Sequence, residues 1–176
     1  MNIIKTNLDG IFEIENITFE DYRGSFVKIF HADTFAEKGL DTEFKESFYS
    51  VSKKNVLRGM HYQLPPYDHS KLVHVVSGKV LDVVVDIRED SETFGKYYST
   101  ELSCDNGRSL YIGKGFAHGF LTLSERATVA YMTTTVHNPE SDTGVRWDGF
   151  GYEWPVSRPI VSSRDKGFKK LIPAYS

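Results

Sequence analysis

From Val80 to Ile87 the chain sets Leu81, Val83, Val85 and Ile87 against Val80, Asp82, Val84 and Asp86. Side chains on a strand point to opposite faces in turn, so this period of two specifies a sheet strand with two different faces. Runs rich in Val, Ile, Phe, Tyr and Thr recur at 25–30, 56–63, 72–76, 79–87, 97–102, 109–112, 119–123 and 128–134. Ser77-Gly78, Asn106-Gly107 and Gly113-Lys114-Gly115 supply turns between them. One short helix is expected at Asp33 to Gly39, with Asp33 as its cap and Gly39 as its stop. Many short strands with closely spaced turns predict an all-β fold, a jelly-roll β-barrel with a few short helices. The polar stretch after Asn138, with Trp147, Trp154 and prolines up to Pro159, is expected to wrap over it irregularly.

Length and charge narrow the function. At 176 residues the chain is expected to form a single domain, 1–176, with a sizeable core. A net charge of −3 and basic runs no longer than pairs such as Lys53-Lys54 argue against a nucleic-acid partner. The single cysteine, Cys104, cannot form an internal disulfide and fits a reducing compartment. The first residues do not read as a signal peptide, and no apolar run is long enough to cross a bilayer. A soluble cytoplasmic protein without a membrane association is expected.

The chemistry gathers in Arg58-Gly59-Met60-His61-Tyr62-Gln63, Lys71-Leu72-Val73 and Phe116-Ala117-His118-Gly119-Phe120. Metal-binding barrels of the cupin kind place His-x-His, a Glu and a third His on inward-facing strands. In this chain Gln63 takes the second His position and Lys71 the Glu position. An ammonium has no lone pair to give a metal, so no metal is expected and the set reads as acid–base equipment. By parity His61 and Gln63 share a face with Gly59 and Leu57, and Arg58 falls on the other. Arg58 reaches the same site only if Gly59 permits a bulge. Tyr131 shares a face with Val129 and Ala127. Taken singly, each residue has a plainer role: His118 or Tyr131 as tethered core, Lys71 as a strand-end charge, Asp165 as a loop cap. His31, His69 and His74 fit no constellation and are expected to be structural or superficial.

In order along the chain come Asp21-Tyr22-Arg23-Gly24-Ser25-Phe26, Asn55-Val56-Leu57-Arg58-Gly59-Met60-His61-Tyr62-Gln63 and Lys71-Leu72-Val73. Asp82 to Arg88, Ser91 and Thr93-Phe94-Gly95 follow, then Gly115 to Phe120, Tyr131, Gly144 to Asp148 and Ser162-Ser163-Arg164-Asp165. Together these motifs resemble the dTDP-4-dehydrorhamnose 3,5-epimerase family, cupin-type jelly rolls acting on nucleotide-linked 4-keto sugars. The resemblance implies epimerisation at C3 and/or C5 without a cofactor. It makes His61 the base, Asp165 its partner, Lys71 the stabiliser of the enolate oxygen and Tyr131 the acid on the opposite face of the ring. Arg58 and Arg23 match diphosphate contacts. Phe26, Glu46, Gln63, His118 and His137 match substrate-binding positions. A homodimer with N-terminal strand exchange is also implied.

The nucleotide end departs from the family pattern. Lys28 stands where a Glu is usual, Glu46-Ser47-Phe48 replaces Gln-Asp-Asn, and Val136 and His137 replace base-stacking tyrosines. A carboxylate only accepts hydrogen bonds, so Glu46 suits an exocyclic amino donor such as cytosine's. The base (dTDP, CDP or another), the number of centres inverted and the pathway's end product stay open. The alternatives are a single-centre epimerase on another nucleotide, a non-catalytic sugar-binding cupin, or a metal-dependent cupin.

Overall fold

The computed structural model describes residues 1–171. Its frame is two antiparallel sheets laid face to face. The alternating run forms β8 (Lys79–Asp86) in a five-stranded sheet. Across that sheet the order is β13 (Asp142–Gly144), β6 (Leu57–Gln63), β11 (Phe116–Thr122), β8 and β9 (Tyr97–Ser103). The opposing six-stranded sheet runs β1 (Asn2–Lys5), β2 (Ile11–Glu15), β10 (Arg108–Ile112), β7 (Lys71–Ser77), β12 (Arg126–Thr133) and β5 (Glu46–Lys53). A separate hairpin pairs β3 (Ile17–Asp21) with β4 (Gly24–Lys28).

The parity of β8 decides the layering. Val80 and Val84 point between the sheets and pack with Val73, Leu110, Phe120 and Val129. Val83 and Val85 point outward, where Met60, Val145 and Phe150 cover them. Both faces of this sheet are therefore dry, which is why its strands are apolar on both parities. The stretch after Asn138 provides that cover, with Trp147, Trp154 and Val161 closing over Leu57 and Leu121. The irregular wrap contains one short strand, β13, and one helical turn, α2 (Ser163–Lys166). The outer face of the six-stranded sheet is sealed by α1 (Ala32–Glu37), whose Phe35 is fully buried among Ile14, Leu72 and Tyr111.

Three expectations need correction. The N-cap of helix α1 is His31, which makes no side-chain cap bond, and Asp33 lies within the first turn. Gly39 does act as a stop: its φ of 70° takes the chain out of the helix. Strands β1, β2, β3, β5 and β13 lie outside the runs read from the sequence.

The third correction is the parity of β6. His61 pairs with His118 on β11, and Arg58 pairs with Phe120, so β6 carries one residue more than its partner between those pairs. That bulge sits at Gly59, whose φ is 132°. A Cβ there would lie 2.5 Å from Gly119 Cα, so only glycine fits. Leu57 and Met60 consequently face the outer layers while Arg58, His61 and Gln63 face the interior. Among the described residues no helix is long and apolar enough to cross a membrane.

Candidate active site

Between the sheets, beyond the packed core, lies a cavity of about 240 Å³. His61 enters it from β6 and Tyr131 from β12 in the facing sheet; Lys71 opens β7 beside them. Asp165, on α2, reaches His61 from behind: His61 Nε2 is 2.9 Å from Asp165 Oδ1. The bulge contributes directly, since the Gly59 N–H donates to Asp165 Oδ2 at 3.1 Å. The Asp165 N–H in turn donates to Ser162 Oγ, which caps the helical turn. Burial pushes the Asp165 carboxyl up. The hydrogen bond and charge of His61, with the Gly59 and Ser162 bonds, outweigh it and hold the group below its ordinary value.

Lys71 is 9 % exposed and donates from Nζ to the His61 carbonyl at 3.1 Å. Burial pulls its pKa down to about 8, against the pull of Asp142 and Asp82. Tyr131 is 8 % exposed, and its hydroxyl is 3.2 Å from Ser50 Oγ. Burial drives the phenol well above its ordinary value; Asp82 adds to this, while Ser50 and Arg58 oppose it. His118 forms a second, wholly buried pair with Asp82 at 2.9 Å on the same cavity wall. Its partner was legible as the one acidic residue facing inward mid-way along β8.

The remaining expected residues divide. Arg58 lines the cavity, steadied by Ser52 Oγ at 2.9 Å and the Val51 carbonyl at 3.2 Å. Glu46 and His137 stand on the lining together, with Glu46 Oε2 accepting the His137 N–H at 2.7 Å. Gln63 lines it too, but its amide is engaged by the chain itself. Nε2 donates to the Tyr67 carbonyl at 2.8 Å and Oε1 accepts from the Asn138 N–H at 2.7 Å. It ties two loops to the barrel wall.

Arg23 and Phe26 are not on the lining of this chain's cavity. They sit on the β3–β4 hairpin, Arg23 paired with Asp21 and Phe26 packed on Phe19. His69, expected to be structural or superficial, is partly buried. It lines the cavity, with Nδ1 3.1 Å from Gln63 Nε2, and burial followed by the Lys71 charge holds its pKa down to about 3. His74 is buried against Ser109 and His31 is exposed, as expected. Phe48, Ser50, Asp142 and Arg164 also line the cavity. Of these, Arg164 stood in a motif of the resemblance and Phe48 in the segment that departs from it, whereas Ser50 and Asp142 were not singled out. Among the described residues no three His, Cys, Asp or Glu side chains come together as a metal site.

A hydrogen-bonded His–Asp pair, a buried ammonium and a buried phenol facing one another suit proton removal and return at carbon beside a carbonyl. Comparison with known proteins gives the same chemistry. A sequence model of the family described as dTDP-4-dehydrorhamnose 3,5-epimerase matches residues 5–172. The chain belongs to that family.

Among relatives of this epimerase family, the dTDP-4-dehydrorhamnose 3,5-epimerase of Shigella flexneri is 42% identical over 99% of this chain and 98% of its own. A dTDP-4-dehydrorhamnose 3-epimerase of Streptomyces niveus is 34% identical over 94% of this chain and 82% of its own. The solved dTDP-6-deoxy-D-glucose-3,5-epimerase of Legionella pneumophila, in complex with dTDP-4-keto-L-rhamnose, is 40% identical. It superposes with a TM-score of 0.92, covering 97% of this chain and 92% of that one. Membership in the epimerase family accounts for the cupin-type β fold as well as for the motif order.

Proposed function

We propose that this single-domain protein epimerises a dTDP-linked 4-keto-6-deoxy sugar at C3 and C5, by removing a proton from one face of the ring and returning one to the other. The observation that carries this is the His61–Asp165 pair at 2.9 Å facing Tyr131 from the opposite sheet, with the Lys71 ammonium between the sheets. A C4 ketone acidifies the C–H bonds on either side of it, because the carbanion delocalises onto O4. Asp165 holds the proton on His61 Nε2 and leaves Nδ1 to accept the substrate proton. Lys71, itself buried, faces the developing O4 charge, where a fixed cation is worth several kcal/mol. Tyr131 then protonates carbon from the far wall, and the centre is inverted. His118, held by Asp82, donates toward the sugar. Arg58 takes the diphosphate in fork geometry.

The nucleotide end is completed by a second copy of the chain. Phe19, Tyr22 and Phe26 on the β3–β4 hairpin are 64%, 97% and 59% exposed, an aromatic patch that a lone chain leaves in water. In a homodimer with exchanged N-terminal strands, that hairpin would carry Arg23 and Phe26 to the partner's cavity. The exposed Cys104 thiol agrees with a cytoplasmic setting.

The Streptomyces niveus relative, named for C3 alone, favours a second reading in which one centre is inverted. Glu46, Phe48 and His137 at the cavity are where another nucleotide would be selected. A panel of 4-keto-6-deoxy sugars on dTDP, CDP and UDP, with product configuration read by NMR, tests both points. Inversion at C3 and C5 on dTDP is expected. Turnover confined to another nucleotide, or to one centre, would replace the first reading by the second. No inversion on any member would leave a sugar-binding cupin.

A further inference from the structure

Tyr131 packs against two rings. Phe48 stacks on its ring at 4.8 Å and 20°, and His118 meets it edge-on at 6.4 Å. The charged and titratable groups directed at it are Asp82 on β8, Arg58 on β6 and His118 on β11. None of these bonds the phenol oxygen; among the described residues its one partner is Ser50 Oγ at 3.2 Å. Ser50 lies on β5, the end strand of its sheet, half-buried on the cavity lining.

An acid that delivers its proton to carbon must be reprotonated before the next turnover, and a buried phenolate is costly until that happens. Either hydroxyl of the pair can donate. Only the arrangement in which Ser50 donates leaves the Tyr131 proton free to point at the sugar. Resting on the assignment of Tyr131 as the acid, we infer that Ser50 is a positioning residue that aims the phenol proton at the substrate carbon and relays a solvent proton back to the phenolate. The step balances. His61 takes the carbon's proton, and the C–H electron pair moves into the enolate with charge on O4. The Tyr131 O–H bond breaks as a C–H bond forms on the other face. Ser50 O–H then reprotonates the phenolate while water reprotonates Ser50, and His61, 32% exposed at its side chain, releases its proton to solvent.

The test separates proton removal from inversion. Ser50→Ala and Ser50→Thr are compared with the wild type, Tyr131→Phe and His61→Asn on a dTDP-linked 4-keto-6-deoxy sugar in D2O. Deuterium wash-in and inversion are measured independently. Ser50→Ala is expected to keep wash-in through His61, to hold KM within about twofold, and to invert about tenfold more slowly, the effect of one lost hydrogen bond. Ser50→Thr, which restores a hydroxyl, should recover inversion. Inversion at the wild-type rate in Ser50→Ala, failure of Ser50→Thr to recover it, or a parallel loss of wash-in and inversion overturns the inference. A Tyr131→Phe protein that still inverts removes the acid assignment itself, which is a different result from an inert Ser50.

Discussion

Lys71 illustrates how a single side chain links chemistry to stability. Burial holds its pKa down from 10.5 to about 8, so across that interval the unfolded chain binds more protons than the folded one. Stability therefore rises with pH between those values, and below about 8 the buried ammonium costs the fold free energy. Two outcomes follow. Turnover should fall as pH rises past about 8, when the cation facing O4 is lost, as a kcat–pH profile will show. Lys71→Met should melt at a higher temperature at pH 7 while turning over at least about 100-fold more slowly. Asp165 behaves in the opposite sense. Its folded pKa is depressed, so its contribution is present above the unfolded carboxylate value of about 3.9 and lost as pH falls below it. Asp165→Asn should flatten that acid limb in pH-dependent unfolding.

At the scale of elements, the bulge in β6 decides the site. It turns Arg58 and His61 to one side and gives Asp165 a backbone donor. Gly59→Ala forces a Cβ to within 2.5 Å of Gly119 Cα at a φ of 132°. It should destabilise the fold by more than about 2 kcal/mol in denaturant unfolding and cost activity beyond that loss. Unbroken parity puts Leu57 with His61 and Arg58 apart; the bulge at Gly59, the condition on which Arg58 reaches the site, is present and reverses that placement. Strand β5 was hidden for a related reason. Its inward residues Glu46, Phe48 and Ser50 line the cavity, while Tyr49 and Val51 are exposed, so no apolar alternation exists to detect. Strand β8 was legible because its outward Leu81, Val83 and Val85 are covered by the wrap, and packing imposes the pattern that binding does not. His69 shows no strand pattern because it lies in the loop before β7, where it meets Gln63 six residues back and Thr135 66 residues on.

At the scale of the whole molecule, one chain buries a complete core yet leaves its hairpin aromatics in water. Sedimentation should report twice the 20.0 kDa chain mass. Phe26→Glu should shift that mass toward the monomer's and raise KM more than it lowers kcat, the split that the proposed binding role of the hairpin requires. An imidazole and a phenol on facing sheets that work on opposite faces of one sugar ring leave a separate mark each on the substrate. A dTDP-linked 4-keto-6-deoxy sugar is incubated in D2O with wild type, His61→Asn and Tyr131→Phe, and the label and configuration at C3 and C5 are read by NMR. The expected result is label with inversion for wild type, label without inversion for Tyr131→Phe, and neither for His61→Asn. Undiminished wash-in by His61→Asn would contradict it.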